Sequence, residues 1–216
     1  MTTLHGFYRS SASFRVRIAL NLKDISYDTR SYDIPSLKHQ DPAYVAINPQ
    51  GLLPTLAIDG YLLTQSLAII DYLETTRPTP PLYPADSAGR ARVLSLAMNI
   101  GADIHPLGVA RTVRYLRNTA GLDESQSTQW QRHWIENGFT ALEASLRRGS
   151  EGRFSHGDSP SVADLFIVPQ VFTARRLGVH VERYPTIASI VEACLMLPAF
   201  QKALPDQQPD SQQNVP

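Results

Sequence analysis

Apolar residues recur at two periods along this chain, and the change of period divides it. Up to residue 76 the pattern alternates between element types. Residues 4–8 and 26–32 are strand-like, residues 12–23 form an apolar, arginine-bearing helical pattern, and residues 42–46 suit a short helix. Two further strand patterns, residues 55–58 and 61–63, flank Asp59-Gly60. That pair supplies the positive φ a two-residue antiparallel hairpin needs. Residues 66–76 follow at once, with Leu67, Ile70 and Leu73 at helical spacing. The predicted order is βαβαββα.

Beyond residue 88 the strand signals vanish. Ile135, Phe139, Leu142 and Leu146 repeat at four, three and four residues, and helical patterns also cover residues 88–117 and 184–195. Ser161-Val-Ala-Asp164 has capping-box chemistry and should start a helix running toward Arg176, with Pro169 inside it to kink it or remove one hydrogen bond. Between the halves lies RPTPPLYPADSAG, whose Pro78, Pro80, Pro81 and Pro84 read as a linker. The polar, proline-containing end of the chain reads as unstructured. The expected organisation is a small α/β domain over residues 1–80, a linker over 81–87, a helical domain over 88–204 and a flexible tail over 205–216.

Composition trims the functional classes. Apolar residues make up 43% of the 216, charged residues 19%, and Lys plus Arg equals Asp plus Glu at 20 each. A packed core is expected; broad attraction to nucleic acid or to acidic membranes is not. Cys194 is the single cysteine, so no internal disulfide or cysteine-based metal cluster is available, and its thiol reads as core. With no apolar targeting run bearing basic flanks and no membrane-length apolar stretch, the expected setting is cytoplasmic, with neither nucleic acid nor membrane as partner.

Candidate chemistry collects at helix starts in the first half. Ser10 and Ser11 in RSSASFRVRIAL precede the first helical pattern, where unpaired N–H groups and the helix dipole favour an anion such as a thiolate. Simple N-capping by serine is the competing reading. Thr64-Gln65-Ser66 is a second hydroxyl-bearing helix start, suited to a carboxylate. Leu53, held extended by Pro54, is suited to pair with a ligand backbone as an added strand would. Thiolate, extended and carboxylate sites together describe a pocket for a short thiol peptide.

RSSASFRVRIAL resembles the signature of zeta-class glutathione transferases, the class of maleylacetoacetate and maleylpyruvate isomerases. The resemblance continues through NPQGLLPTLAIDG, QSLAIIDYLE, RPTPPLYP, DIHPL and GDSPSVADLFIVPQVFTARR, nearly the whole chain. It implies a thioredoxin-like domain holding glutathione, a helical domain holding the second substrate, and a homodimer. Carried over, Ser10 hydrogen-bonds the glutathione thiolate with Ser11 in support. Leu53 pairs with the cysteinyl backbone before a cis Pro54, Gln65 and Ser66 bind the γ-glutamyl carboxylate, and His39 and Gln50 lie near the glycyl end. Asp103 approaches the γ-glutamyl amine, either within its own chain or across the dimer, and His105 lies close to the same cleft. As bare features, these last two read as a solvated carboxylate and a packed histidine; it is the resemblance that brings the binding roles level with those readings.

The implied reaction turns a cis double bond between carbonyl and carboxylate into its trans isomer. Its dicarboxylate substrate calls for cations, and Arg9, Arg111 and Arg176 are the candidates. Each alone also reads as a solvated surface charge. Ala12 departs from the family pattern by standing where the signature has cysteine. The protein thiol that reductive dehalogenases of this class use is therefore missing, whereas isomerisation needs none. A general glutathione transferase or a dehalogenase of small α-halo acids is the alternative, and a fold kept only for binding is a third reading.

Overall fold

Four short strands, β1 (Thr3–Gly6), β2 (Asp28–Ser31), β3 (Thr55–Ile58) and β4 (Tyr61–Thr64), form one sheet in the order β2-β1-β3-β4. β1 runs parallel to β2 and antiparallel to β3, which pairs antiparallel with β4 in the register Thr55↔Thr64 to Ile58↔Tyr61. A parallel pair needs a crossover, and α1 (Ser11–Leu22) supplies it. The hairpin turns on Asp59 and Gly60, both at positive φ (52° and 84°). With α2 (Pro42–Val45) and α3 (Ser66–Thr76), the βαβαββα order and the thioredoxin-like arrangement are realised. Leu4, Val16, Leu20, Leu56, Ile70 and Leu73 are fully buried in its core. A Cβ on Gly6 would lie 3.1 Å from the Ser13 Oγ, so β1 passes tightly against the first turn of α1 and sets where that helix begins.

This computed structural model describes residues 1–149 and 152–214. They fall into two units, Met1–Pro81 with Leu195–Pro216, and Leu82–Cys194. The expected 81–87 linker is not a free spacer. Leu82 and Tyr83 are buried, the Leu82 carbonyl accepts from the Val162 N–H at 2.9 Å, and the Arg90 guanidinium stacks 3.9 Å from the Tyr83 ring centroid.

Unit 2 is helical: α4 (Ser87–Met98), a π-helical turn (Asn99–Ile104), α5 (His105–Gly108), α6 (Ala110–Asn118), α7 (Glu124–Arg147), α8 (Val162–Arg176) and most of α9 (Pro185–Leu195). The single helix expected over 88–117 is thus several pieces, for identifiable reasons. Pro106 has no N–H for the carbonyl four residues back, and the His105 N–H bonds instead to Ile100, five back. Extended backbone at Val109 (ψ 158°) then stops the run. The carbonyls left over at Pro106, Leu107 and Gly108 accept from Thr112 Oγ1, Trp130 Nε1 and Gln131 Nε2 at 2.7–2.8 Å. By length and composition, Ser87–Asn118 passes for a membrane-crossing helix, with a window of mean hydropathy 1.3. It is broken at Val109 and carries Arg90, Arg92, Arg111, Arg114 and Arg117.

The capping box at α8 forms, and it is deeply buried. Asp164, with no exposure, accepts from the N–H and hydroxyl of both Ser161 and Ser155 at 2.7–2.9 Å. Burial pushes this carboxyl above the usual range while those donors pull it down. α8 continues through Pro169 as one element. Cys194 is fully buried, and burial raises its thiol well above the ordinary value.

The C-terminal segment departs from expectation. α10 (Pro198–Lys202) and the 3-10 turns Pro205–Gln207 and Pro209–Asn214 belong to unit 1, not to the helical unit or to a flexible tail. Phe200 is fully buried, Asn21 Nδ2 donates to the Ala199 carbonyl at 2.9 Å, and Arg17 Nε donates to that of Ala203 at 3.0 Å. A guanidinium buried in α1 has to find acceptors, and this segment provides one. The last two residues of the expected tail, Val215 and Pro216, lie outside the described residues.

Candidate functional site

The turn before α1 carries Arg9 and Ser10. It closes with the Ser10 N–H donating to the Phe7 carbonyl at 3.0 Å, and it leaves Arg9 exposed. Ser10 is the N-cap of α1, its Oγ accepting from the Ser13 N–H at 3.2 Å. The capping reading is therefore correct, and it does not displace the other. A hydroxyl that accepts on a lone pair keeps its proton to donate. Ser11 begins the helix, half-buried beside it, and the buried Ala12 follows.

Leu53 sits in the connection to β3, before a cis peptide to Pro54. Neither its N–H nor its carbonyl has a hydrogen-bond partner among the described residues. The loop that delivers it is firmly held. Tyr44 Oη and Asn48 Nδ2 both donate to the Leu52 carbonyl at 2.7 Å, and Gln40 Nε2 donates to the Gly51 carbonyl at 2.7 Å. Gly51 has φ 56°, which favours glycine, and a Cβ there would lie 2.6 Å from Gln40 Nε2 and push aside the amide that holds the loop. His39 is mostly buried in the 3-10 turn (Lys38–Gln40) that the Gln40 bond ties to this loop.

Gln65 precedes α3 at φ 67°, uncommon for a residue with a Cβ. Its Nε2 donates to Gln50 Oε1 at 2.8 Å, so two exposed candidates far apart in sequence are adjacent in space. Ser66 is buried, and Arg15 Nη1 donates to its Oγ at 3.3 Å. Burial pushes the Arg15 guanidinium down to about 9. The structure therefore puts a buried cation behind the serine proposed to receive a carboxylate. Sequence reasoning missed Arg15, although an arginine among the apolar positions of α1 was the available signal.

In unit 2, Asp103 is exposed on the π-helical turn and His105 half-buried at the start of α5. π turns concentrate at functional sites. Arg111 lies exposed in the first turn of α6, next to the Thr112 that bonds the Pro106 carbonyl, so its segment is anchored beside that of His105. Arg176, the last residue of α8, is exposed, as is Arg175.

The residues of unit 1 fit a bound glutathione. The Ser10 hydroxyl at a helix start, the Leu53 peptide groups without a partner among the described residues and a cation-backed serine match its thiol, peptide and carboxylate chemistry.

Residues 4–81 match the family model of the glutathione S-transferase N-terminal domain. A maleylpyruvate isomerase of Ralstonia sp. is 46% identical over 209 residues, covering 96% of this chain and 99% of the relative. A solved holo maleylpyruvate isomerase, described as a bacterial glutathione S-transferase of the zeta class, superposes with TM-score 0.94 at 45% identity, covering 96% and 99% of the two chains. A maleylacetoacetate isomerase of Methylobacterium extorquens AM1 with bound malonate and glutathione gives 0.93 at 41%, covering 96% and 98%.

Proposed function

Because the chain belongs to the maleylpyruvate and maleylacetoacetate isomerase family of zeta-class glutathione S-transferases, we propose that it is a glutathione-dependent cis–trans isomerase of a maleyl keto acid. It would convert maleylacetoacetate or maleylpyruvate into the fumaryl isomer, in the cytoplasm, as a step of aromatic-compound catabolism. The observation that carries this reading is the gathering, in one unit of a chain so similar to those isomerases, of the Ser10 cap, the unpaired Leu53 backbone and the Gln50–Gln65 pair.

Glutathione, when bound, supplies a thiolate that adds to the double bond, lets it rotate and is expelled, so it is regenerated. The chain's part is to hold and bias. A free thiol titrates near about 8.5, so the Ser10 hydroxyl donates to the sulfur, and Ser11 and the first-turn N–H groups of α1 lower the cost of its charge. Leu53 pairs through its N–H and carbonyl, Gln65 and Ser66 hold the γ-glutamyl carboxylate with Arg15 behind, and His39 and Gln50 serve the glycyl end. Asp103 and His105 serve the γ-glutamyl amine end. Arg9, Arg111 and Arg176 hold the substrate carboxylates and stabilise negative charge developing on its carbonyl. The malonate in the Methylobacterium relative is itself a dicarboxylate.

A spectrophotometric assay of maleylacetoacetate and maleylpyruvate, each with and without glutathione and beside chloroacetate and dichloroacetate, tests the reading. Glutathione-dependent isomerisation of a maleyl compound, with little dehalogenation because Ala12 offers no thiol, is the expected result. Dehalogenation without isomerisation would overturn it.

We further infer a homodimer. Tyr61 and Leu62, 60% and 55% exposed, lie on the sheet-edge strand β4, an apolar edge that a second copy would cover. Light scattering at micromolar concentration is expected to give about twice the 24.0 kDa of one chain. A monomer would leave Asp103 a surface carboxylate with no role toward a partner's glutathione.

A further inference from the structure

The turn that carries Ser10 is held from outside by groups the reaction chemistry does not use. Arg17, 2% exposed in α1, donates from Nη2 to the Tyr8 carbonyl at 3.0 Å and from Nη1 to the Phe7 carbonyl at 3.4 Å. The Tyr8 N–H donates to Asp210 Oδ2 at 3.0 Å, and the Ser31 hydroxyl at the end of β2 donates to the same oxygen at 2.5 Å. Asp210 is 6% exposed in the last 3-10 turn, some 200 residues along the chain from the group it holds. Arg17 Nε binds the Ala203 carbonyl of the same C-terminal segment. Both polar faces of the Tyr8 peptide neighbourhood are thereby fixed, the carbonyls by a cation and the N–H by a carboxylate. Burial lowers the Arg17 guanidinium to about 10, and Tyr27 and Asp210 act against that drop.

We propose that Asp210 is a positioning residue for the thiolate site: the C-terminal turn grips the Tyr8 N–H and so sets where Ser10, two residues on, presents its hydroxyl. The inference rests on Ser10 being the thiolate donor. Asp210 touches neither glutathione nor substrate in this scheme. Its effect runs through the Phe7–Ser10 turn, whose closing bond from the Ser10 N–H to the Phe7 carbonyl shares that carbonyl with Arg17. Loosening Tyr8 misaims a donor whose worth depends on direction as much as distance.

Asp210→Ala and Asp210→Asn test this with two readouts. In the ligand-free protein, amide hydrogen exchange at Tyr8 is expected to quicken about tenfold or more in Asp210→Ala. With glutathione, ultraviolet titration of the bound thiolate should show its pKa raised by about one unit, a tenfold fall in its acid dissociation constant, with kcat falling by up to that factor at pH well below the parent's bound-thiol pKa. Affinity for S-methylglutathione, which has no thiol, should stay within about threefold of the parent's, an outcome a general loss of structure would not give. Asp210→Asn keeps one acceptor oxygen and should fall between the two, and it carries the test if the alanine variant does not fold. Unchanged Tyr8 exchange overturns the clamp. Faster exchange with an unchanged thiol pKa overturns the positioning role. Failure of the parent protein itself to bind glutathione would instead strike the functional reading, and with it any catalytic role for Asp210, while the exchange experiment still decides the clamp.

Discussion

Ser10→Ala should cost activity and stability by separable amounts. The hydroxyl has two tasks: its oxygen caps α1 by accepting from the Ser13 N–H, and its proton is assigned to the bound thiolate. Losing the cap costs about 1 kcal/mol of folding stability, read in urea unfolding. Losing a hydrogen bond to a charged sulfur costs about 1.5–3 kcal/mol, which raises the thiol pKa by one to two units at about 1.4 kcal/mol per unit. At pH well below the parent's bound-thiol pKa turnover should fall roughly ten- to a hundredfold, by less at neutral pH, and recover as pH rises toward the new pKa because the anion is restored there. Ser10→Thr keeps cap and donor and should keep most activity. Ala12→Cys adds a thiol that isomerisation does not use, so it should leave the rate nearly unchanged. Full activity in Ser10→Ala with an unchanged thiolate titration would pass the role to Ser11.

Arg176→Met should be the most damaging change in unit 2. Methionine keeps bulk and removes both the charge and the planar donor fork that suits a carboxylate. An ion pair desolvated by substrate binding typically costs about 2–5 kcal/mol when one partner is truncated, a loss of thirtyfold or more in kcat/KM at saturating glutathione. Arg9→Met is expected to do the same, and glutathione affinity should barely move in either. Arg175 is the internal control. It is also exposed but about 100° around the helix, so Arg175→Met should be near-silent. Equal effects at 175 and 176, or a loss confined to glutathione binding, would contradict the carboxylate role and favour a general transferase acting on uncharged electrophiles.

Local chemistry made part of this legible from the sequence. Asp59-Gly60 names its hairpin because few residues tolerate positive φ, and α3 spans the very residues its apolar spacing marked, Ser66–Thr76. What escaped depends on partners distant in the chain. The π-helical turn under Asp103 is set by Pro106 together with the close approach of α7, where a Cβ on Gly138 would fall 2.2 Å from Ile104 Cγ1. The C-terminal turn reads as polar and unstructured until the burial of Arg17 is known, since only then does Asp210 have a reason to be inside. At the proposed site, Ser10, Leu53 and Gln65 are marked in the sequence by residue type and position. The Gln50–Gln65 contact and the Arg15 cation behind Ser66 are not, because each joins segments that only the fold brings together.

The central claim is that glutathione is used and returned. The direct test is a reaction run with maleyl keto acid in large excess over glutathione, followed by proton NMR of the vinyl signals with the thiol counted at the end. The account expects many equivalents of fumaryl product per glutathione, the free thiol undiminished, and no turnover when S-methylglutathione replaces it. Product limited to one equivalent with glutathione consumed as a stable conjugate, or isomerisation at the same rate without any thiol, would contradict it.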